Sequence, residues 1–128
     1  MPGRQVLNEV LTALQDAGID AALGGSGLLA ALGLTDHVRD WDVTTDADPH
    51  LVDRLRVDGA DHDIDLIVGF PIRADDTVHH LPTRITGHWH GLPLADPAVW
   101  AQAYRLIGRL EPATALDEWL STRPTSQQ

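Results

Sequence analysis

One short run of residues, Gly24-Gly25-Ser26-Gly27, constrains the fold of this chain more than any other feature. The apolar run from Ile19 to Leu23 precedes it and predicts a buried strand. Leu28 to Leu32 follows as a brief helix that Ser26 could cap. Glycines allow the backbone to approach a ligand closely, and the amides at the start of a helix attract phosphate. The run therefore predicts a strand, a tight turn and a helix that suit an anion, although an ordinary connection would use the same residues.

Two aspartates lie on the strand that we predict next. Asp40 and Asp42 are two residues apart at the start of a run of β-formers that ends at Thr45. Side chains two apart on a strand point to the same face, so both carboxylates project together while Trp41 points away. A third aspartate, Asp65, opens the strongest predicted strand, residues 64–70.

Three carboxylates that converge on one point repel each other unless a cation lies between them. Hard oxygen ligands of this kind suit Mg²⁺ or Mn²⁺, so Asp40, Asp42 and Asp65 form a candidate metal site. Asp65 is also the best placed to act as a general base on an acceptor hydroxyl. Asp63 competes with it because the two share a strand face, and we prefer Asp65 because its neighbours on both sides are apolar. The simpler interpretation makes Asp40 and Asp42 exposed strand-end carboxylates beside Arg39.

The other predicted elements complete a single domain over residues 1–128, with a polar tail at about 121–128. In chain order they are a helix over 3–17, a helix from Pro49 to Leu55, strands near 72–80 and 83–90, a helix from Asp96 and a last helix from Pro112 to Leu120. The Asp96 helix has an apolar stripe made of Val99, Trp100, Ala103, Leu106, Ile107 and Leu110. Trp100, Tyr104 and Trp119 are predicted to lie in the core. Strands and helices interleave, so the predicted class is α/β (α+β) with a mixed β-sheet flanked by helices.

The charge balance restricts the partners of the chain. Nineteen acidic residues stand against nine basic ones, all of them arginine, for a net charge of −10. Such a field repels a phosphate backbone, which disfavours general binding of nucleic acid but still allows a nucleotide held through metal ions. Cysteine is absent, which excludes disulfides and thiolate zinc sites. No run approaches the ~20 apolar residues of a membrane span, so we expect a cytoplasmic protein that binds no membrane.

This ordered set of motifs resembles the nucleotidyltransferase superfamily, whose signature is a Gly-Gly or Gly-Ser turn, an Asp–x–Asp pair and a later third Asp. The matching segments are Leu23 to Ser26, Asp40 to Val43 and Ile64 to Leu66. The chain looks most like small bacterial enzymes related to lincosamide and aminoglycoside nucleotidyltransferases, and like the minimal, antitoxin-type domains paired with helical toxins. The resemblance covers about residues 5–70, and more loosely the run 91–94 with the helix after it.

The resemblance implies a nucleotidyltransferase fold and a metal-dependent transfer of a nucleoside monophosphate from an NTP, such as ATP, to a hydroxyl of a small molecule or protein. It implies that Gly24, Gly25 and Ser26 hold the triphosphate, with Arg39 as a further nucleotide contact. It implies that Asp40, Asp42 and Asp65 bind Mg²⁺ or Mn²⁺ and act in catalysis. Relatives place a basic residue on a later helix near the phosphates, and Arg105 or Arg109 would take that place here.

Two other interpretations stay open on the sequence alone. One is an inactive nucleotide-binding or antitoxin-type regulatory module, which the scarcity of chain for an acceptor pocket favours and the intact third Asp disfavours. For an enzyme, that scarcity implies that an acceptor would need an oligomer partner, such as a homodimer, or an open groove, and for a regulatory module the expected partner is a toxin. The other is a histidine metal site made of His79, His80, His88 and His90. His37, Arg39 and His62 could contact substrate or be ordinary surface residues.

Overall fold

A computed structural model describes residues 4–53 and 64–122 of the chain. The helices are α1 (Arg4–Asp16), α2 (Gly25–Ala31), α3 (Pro49–Asp53), α4 (Pro97–Leu106) and α5 (Leu110–Thr122). The strands are β1 (Ala21–Gly24), β2 (Trp41–Thr45), β3 (Ile64–Val68), β4 (Pro71–Ala74), β5 (Thr77–His80), β6 (Ile85–Trp89) and β7 (Leu92–Ala95). Asp63, His62 and the predicted helix end at Leu55 lie outside the described residues.

Five strands form one mixed sheet in the order β3-β2-β1-β7-β6. β2 pairs with β3 and β1 with β7 in parallel, while β1 pairs with β2 and β6 with β7 in antiparallel orientation. β4 and β5 form a separate two-stranded sheet. The predicted α+β class with a mixed sheet flanked by helices is therefore confirmed.

The core is built from the sheet, α1 and the buried residues of α4 and α5. α1 buries Leu7, Val10, Leu11 and Leu14 at helical spacing, as the sequence predicts. On β2 the alternation is equally clear, because Trp41 and Val43 are fully buried while Asp42 between them is only partly covered. Each large apolar side chain buried in this way contributes about 1.5–3 kcal/mol. The same alternation that anchors β2 in the core turns Asp42 toward the opposite face.

The segment 72–80, predicted as one strand, is a hairpin of β4 and β5. Asp75 and Asp76 form its turn with φ of 52° and 63°. Two consecutive residues in the left-handed region match the twist of a two-residue hairpin. Asn-Gly and Asp-Gly pairs are the usual sequence indication of such a turn, so a pair of aspartates predicts it less clearly. β7 was likewise not predicted as a strand, because Pro93 has no N–H for a sheet ladder. The structure nevertheless places β7 between β1 and β6.

The predicted apolar stripe of the Asp96 helix is only partly correct. Asp96 does cap α4, and its Oδ1 accepts the N–H of Ala98 at 2.9 Å. The helix ends at Leu106, so Ile107 and Leu110 fall beyond it and are 51% and 62% exposed. α5 then begins at Leu110 rather than at Pro112. Within the described ranges, no helix has the length and apolar character needed to cross a bilayer.

Candidate active site

The parallel pairing of β2 with β3 brings two of the predicted aspartates together. Asp42 and Asp65 are direct partners in the register of these strands. Neighbouring strands lie about 4.8 Å apart, and partners in register point to the same face of a sheet. Asp40 precedes β2 by one residue and shares the face of Asp42. All three line one cleft of about 630 Å³, called the large cleft below.

The three carboxylates influence each other electrostatically. Burial, the negative charge of Asp65 and the negative charge of Asp40, in decreasing order of effect, together raise the pKa of Asp42 from 3.8 to about 6. A cation would reverse the repulsive part of this shift, because it favours the ionised form of every carboxylate near it. The chemistry of the donor set, hard carboxylate oxygens at the edge of a cleft, therefore fits Mg²⁺ or Mn²⁺.

Within residues 4–53 and 64–122, no three acidic or histidine side chains are already arranged as a coordination cluster. For Asp40, Asp42 and Asp65 the structure shows a shared cleft and an electrostatic coupling of Asp42 to the other two carboxylates.

Two side chains that line the large cleft, Trp100 and Asp42, occupy the space that a Cβ on Gly24 or Gly25 would need. Gly24 pairs with Asp42 across β1 and β2, and a Cβ on it would overlap the indole ring of Trp100. A Cβ on Gly25 would overlap the carboxylate of Asp42, and Gly25 also has a φ of +57°. The glycine run thus allows Asp42 and Trp100 to approach the backbone closely.

Ser26 does not cap α2, contrary to the prediction. The helix begins at Gly25, and the N-cap residue is Gly24, which has no side chain to cap with. Ser26 instead lies in the first turn, where its hydroxyl donates to the carbonyl of Asp40 at 3.5 Å. It also lines the large cleft, so it connects the glycine turn to the aspartate loop.

Two arginines add positive charge to the cleft, and a histidine lies beside them. Arg39 and His37, both singled out in the sequence, line it together with Arg109. Arg105 does not, because its guanidinium forms an ion pair with Asp117 at 2.7 Å. Of the two arginines that the resemblance offered near the phosphates, only Arg109 is therefore at the cleft.

An aromatic wall of Phe70, Trp100 and Tyr104 faces the carboxylates, and the sequence assigned the last two only to the core. All three are nearly buried yet line the large cleft. Trp100 contacts Phe70 and Tyr104 with ring centroids 4.5 and 5.7 Å apart. The helical spacing of Trp100 and Tyr104 predicts a shared face, but not that this face reaches a cleft.

Tyr104 interacts electrostatically with a positive and a negative side chain, Arg109 and Asp42. Its burial raises the pKa of its hydroxyl, the charge of Arg109 opposes that rise, and the charge of Asp42 adds to it. The Arg109 guanidinium lies 5.3 Å from the centroid of the Tyr104 ring. Asp42, Tyr104 and Arg109 therefore form one connected group across the cleft.

Comparison with known proteins gives the fold a name. No protein-family model matches the sequence, and no curated protein matches it. The structure is similar to the crystal structure of a candidate nucleotidyltransferase from Thermotoga maritima, with a TM-score of 0.61 and 22% identity over 93% of this chain and 92% of that one. It is also similar to the solution structure of the antibiotic-resistance factor ANT(2″)-Ia, with a TM-score of 0.50 and 15% identity over 90% and 82% of the two chains.

The chain has the nucleotidyltransferase fold. At these identities the likeness concerns the fold, and it agrees with the resemblance drawn from the glycine turn and the aspartates. The nucleotidyltransferase fold extends over nearly the whole chain, including β6, β7 and α4, where the sequence resemblance is loose.

The histidine alternative gains no support from this nucleotidyltransferase fold. His79 and His80 lie on β5 of the small sheet, while His88 lies on β6 of the large one and His90 follows it. No three histidine or acidic side chains in the described part of the chain are arranged to hold a metal. His80 is instead within 3.1 Å of the Gly69 carbonyl through its Nδ1, a local contact next to the β4–β5 hairpin.

Proposed function

We propose that this protein is a metal-dependent nucleotidyltransferase that moves a nucleoside monophosphate from an NTP, such as ATP, to a hydroxyl of a small molecule or protein. The observation that carries the proposal is the convergence of Asp40, Asp42 and Asp65 in one cleft of a nucleotidyltransferase fold. A volume of about 630 Å³ also suits a nucleotide, since ligand clefts are typically about 300–1,000 Å³. We expect the reaction to take place in the cytoplasm.

Asp40, Asp42 and Asp65 are the proposed ligands of Mg²⁺ or Mn²⁺. When bound, the metal would neutralise these carboxylates and stabilise negative charge on the triphosphate and on its leaving pyrophosphate. Asp42 is partly buried while Asp40 and Asp65 are exposed, so Asp42 is the inner member of the trio. Its raised pKa is the electrostatic reason why this member needs a nearby cation most.

The triphosphate would lie between the glycine turn and the two arginines of the cleft. Ser26 lines the cleft beside the glycine turn, where Gly24 and Gly25 would contribute backbone contacts, and Arg39 and Arg109 supply fixed positive charge. These groups bind and orient the nucleotide, which is where most of the catalytic advantage of phosphoryl chemistry arises.

The chemical step needs a base and a leaving group. The acceptor oxygen attacks the α-phosphorus, the bond from this phosphorus to the bridging oxygen of the β-phosphate breaks, and pyrophosphate leaves with that electron pair. Asp65 would accept the proton of the acceptor hydroxyl, because it is exposed at the cleft and adjacent to Asp42. A second copy of the chain or an open groove would receive the acceptor.

An assay with labelled nucleotides tests this proposal. The protein is incubated with α-phosphate-labelled ATP, GTP, CTP or UTP, Mg²⁺ or Mn²⁺, and a panel of hydroxyl acceptors, alongside Asp42→Ala and the matched exposed control Asp16→Ala. We expect transfer by the wild type and Asp16→Ala, and its loss in Asp42→Ala or with a chelator. Absence of transfer together with absence of metal-dependent nucleotide binding in the wild type would contradict the proposal.

The alternative, an antitoxin-type regulatory module, predicts a different result in the same experiment. A module of that kind would bind nucleotide, or a partner protein, with no labelled product under any condition. Nothing in the cleft favours it, since the carboxylate that would act as base is present and accessible.

A further inference from the structure

The connection between α4 and α5 holds the backbone of Arg109 in a defined place. The N–H of Gly108 donates to the carbonyl of Arg105 at 3.1 Å, and the N–H of Arg109 donates to the carbonyl of Tyr104 at 2.8 Å. Gly108 has a φ of +78°. This pair of bonds around a left-handed glycine is the Schellman helix ending, which reverses the chain in a fixed geometry. Arg109 is therefore anchored directly over the last turn of α4.

The side chain of Arg109 is positioned as well as its backbone. Its guanidinium lies 5.3 Å from the centroid of the Tyr104 ring, within the range of a cation–π contact. Tyr104 is only 5% exposed and its ring is packed against Trp100, so it is a rigid surface. A planar guanidinium stacked on such a surface loses freedom before any ligand arrives, which prepares it to bind phosphate.

Arg105, four residues earlier and in the last turn of α4, shows the contrast. Its guanidinium is engaged by Asp117 of α5 and it does not line the large cleft. The two arginines thus differ in partner: one is held by a carboxylate that neutralises it, the other by an aromatic ring that leaves its charge and its N–H donors available.

We propose that Tyr104 is a positioning residue that holds the Arg109 guanidinium toward the triphosphate in the large cleft. This inference rests on the proposed function, because it assigns a role toward the same nucleotide. Tyr104 would act through its ring rather than its hydroxyl, since the ring is the part that the guanidinium covers.

Binding of inorganic tripolyphosphate with Mg²⁺, measured by calorimetry, tests the inference without knowledge of the base or the acceptor. We expect Tyr104→Phe, which retains the ring, to bind within about twofold of the wild type, and Tyr104→Leu to bind about fivefold more weakly. Arg109→Ala should lose more, while Arg105→Ala should bind like the wild type. The double variant Tyr104→Leu/Arg109→Ala should bind no more weakly than Arg109→Ala alone.

That last comparison separates positioning from general support of the fold. If the two losses add, or if Tyr104→Leu binds like the wild type, the positioning role is wrong while the proposed function stands. If the wild type does not bind tripolyphosphate at all, the proposed function is wrong too.

A second variant keeps the test valid if Tyr104→Leu fails to fold. Arg109→Lys retains the charge but replaces the planar guanidinium by a flexible ammonium. We expect it to lose most of the affinity that Arg109→Ala loses, because stacking on the ring sets the direction of the donors. Wild-type affinity in Arg109→Lys would show that charge alone suffices and would overturn the inference.

Discussion

Two clefts of this molecule contain three aspartates each, at opposite ends of β2, yet they are built for different purposes. The trio of the large cleft is Asp40, Asp42 and Asp65, and the trio of the small cleft, of about 350 Å³, is Asp20, Asp46 and Asp48. In the small cleft Asp46 accepts the N–H of Thr83 at 3.0 Å and Asp48 accepts the N–H of His50 at 2.9 Å. Those two carboxylates are satisfied by backbone donors and hold a loop and a helix start in place.

In the large cleft the carboxylates act on each other electrostatically instead. Asp42 has no backbone donor of that kind among its described hydrogen bonds, and burial together with the charges of Asp65 and Asp40 raises its pKa to about 6. The number of acidic residues therefore does not distinguish a candidate metal site from a cluster with a structural role. The distinction lies in whether the carboxylates accept backbone N–H groups or mainly repel one another.

The largest effect should come from removing a carboxylate that the proposal uses in the chemistry. We expect Asp65→Asn to lower the transfer rate by more than the ~100-fold that loss of an outer-shell metal partner can cost, because Asp65 is both a ligand and the base. The matched change in the small cleft, Asp20→Asn, should leave the rate within about twofold, since surface substitutions rarely propagate. Steady-state transfer with labelled NTP measures both variants. Equal loss in the two clefts would refute the distinction drawn between them.

A pair of glycines gives a second comparison between the clefts. Gly25, with φ +57°, lies against the carboxylate of Asp42, and Gly18, with φ +77°, lines the small cleft. A Cβ on Gly18 would meet nothing within 4 Å, whereas one on Gly25 would overlap the carboxylate of Asp42. Gly18→Ala should therefore cost only the left-handed backbone penalty of about 1–2 kcal/mol. Gly25→Ala should add overpacking of about 1–3 kcal/mol and should also lower transfer, because Asp42 must move.

Chemical denaturation and the transfer assay together test this pair. The informative quantity is the difference in the free energy of unfolding between the two variants, since the left-handed backbone costs both of them the same amount. Normal transfer by folded Gly25→Ala would mean that Asp42 does not need its present position, which would weaken its assignment as the inner ligand.

Much of this arrangement follows from local sequence. The alternation of Trp41, Asp42 and Val43 predicts a strand with its carboxylate turned away from the core, and the structure confirms the strand. The glycine turn predicts the change from strand β1 to helix α2. The structure shows why glycine is required there, because neighbouring side chains leave no room for a Cβ. Local patterns of this kind suffice where burial or backbone conformation acts on a few neighbouring residues.

The remainder depends on contacts between distant parts of the chain. The pairing of Asp42 with Asp65 is a register between β2 and β3, which a sequence suggests but does not determine. The choice of Arg109 over Arg105 depends on where α4 stops, and the apolar stripe extended the predicted helix too far. β7 was missed because Pro93 is unfavourable in a ladder, although the strand tolerates it beside β6.

The smallest expected effect is a dependence of stability on pH that only the large cleft should show. The pKa of Asp42 is raised in the folded protein from 3.8 to about 6, so without metal the folded state binds more protons between those values and the free energy of unfolding falls as pH rises through them. Two pKa units would correspond to about 3 kcal/mol, and partial exposure of Asp42 to solvent reduces the expectation to about 1–2 kcal/mol. In the presence of a chelator, Asp42→Asn should therefore be more stable than the wild type by that amount at pH 8, and close to it near pH 3, below both pKa values, where the wild-type carboxyl is mainly protonated in both states. Asp46→Asn, the matched change in the small cleft, should show no such gain, because Asp46 accepts a backbone N–H that the amide oxygen can still accept.

Addition of Mg²⁺ at pH 8 should stabilise the wild type and not Asp42→Asn. If the gain in stability from Asp42→Asn is equal at both pH values, repulsion and burial at Asp42 are not its cause.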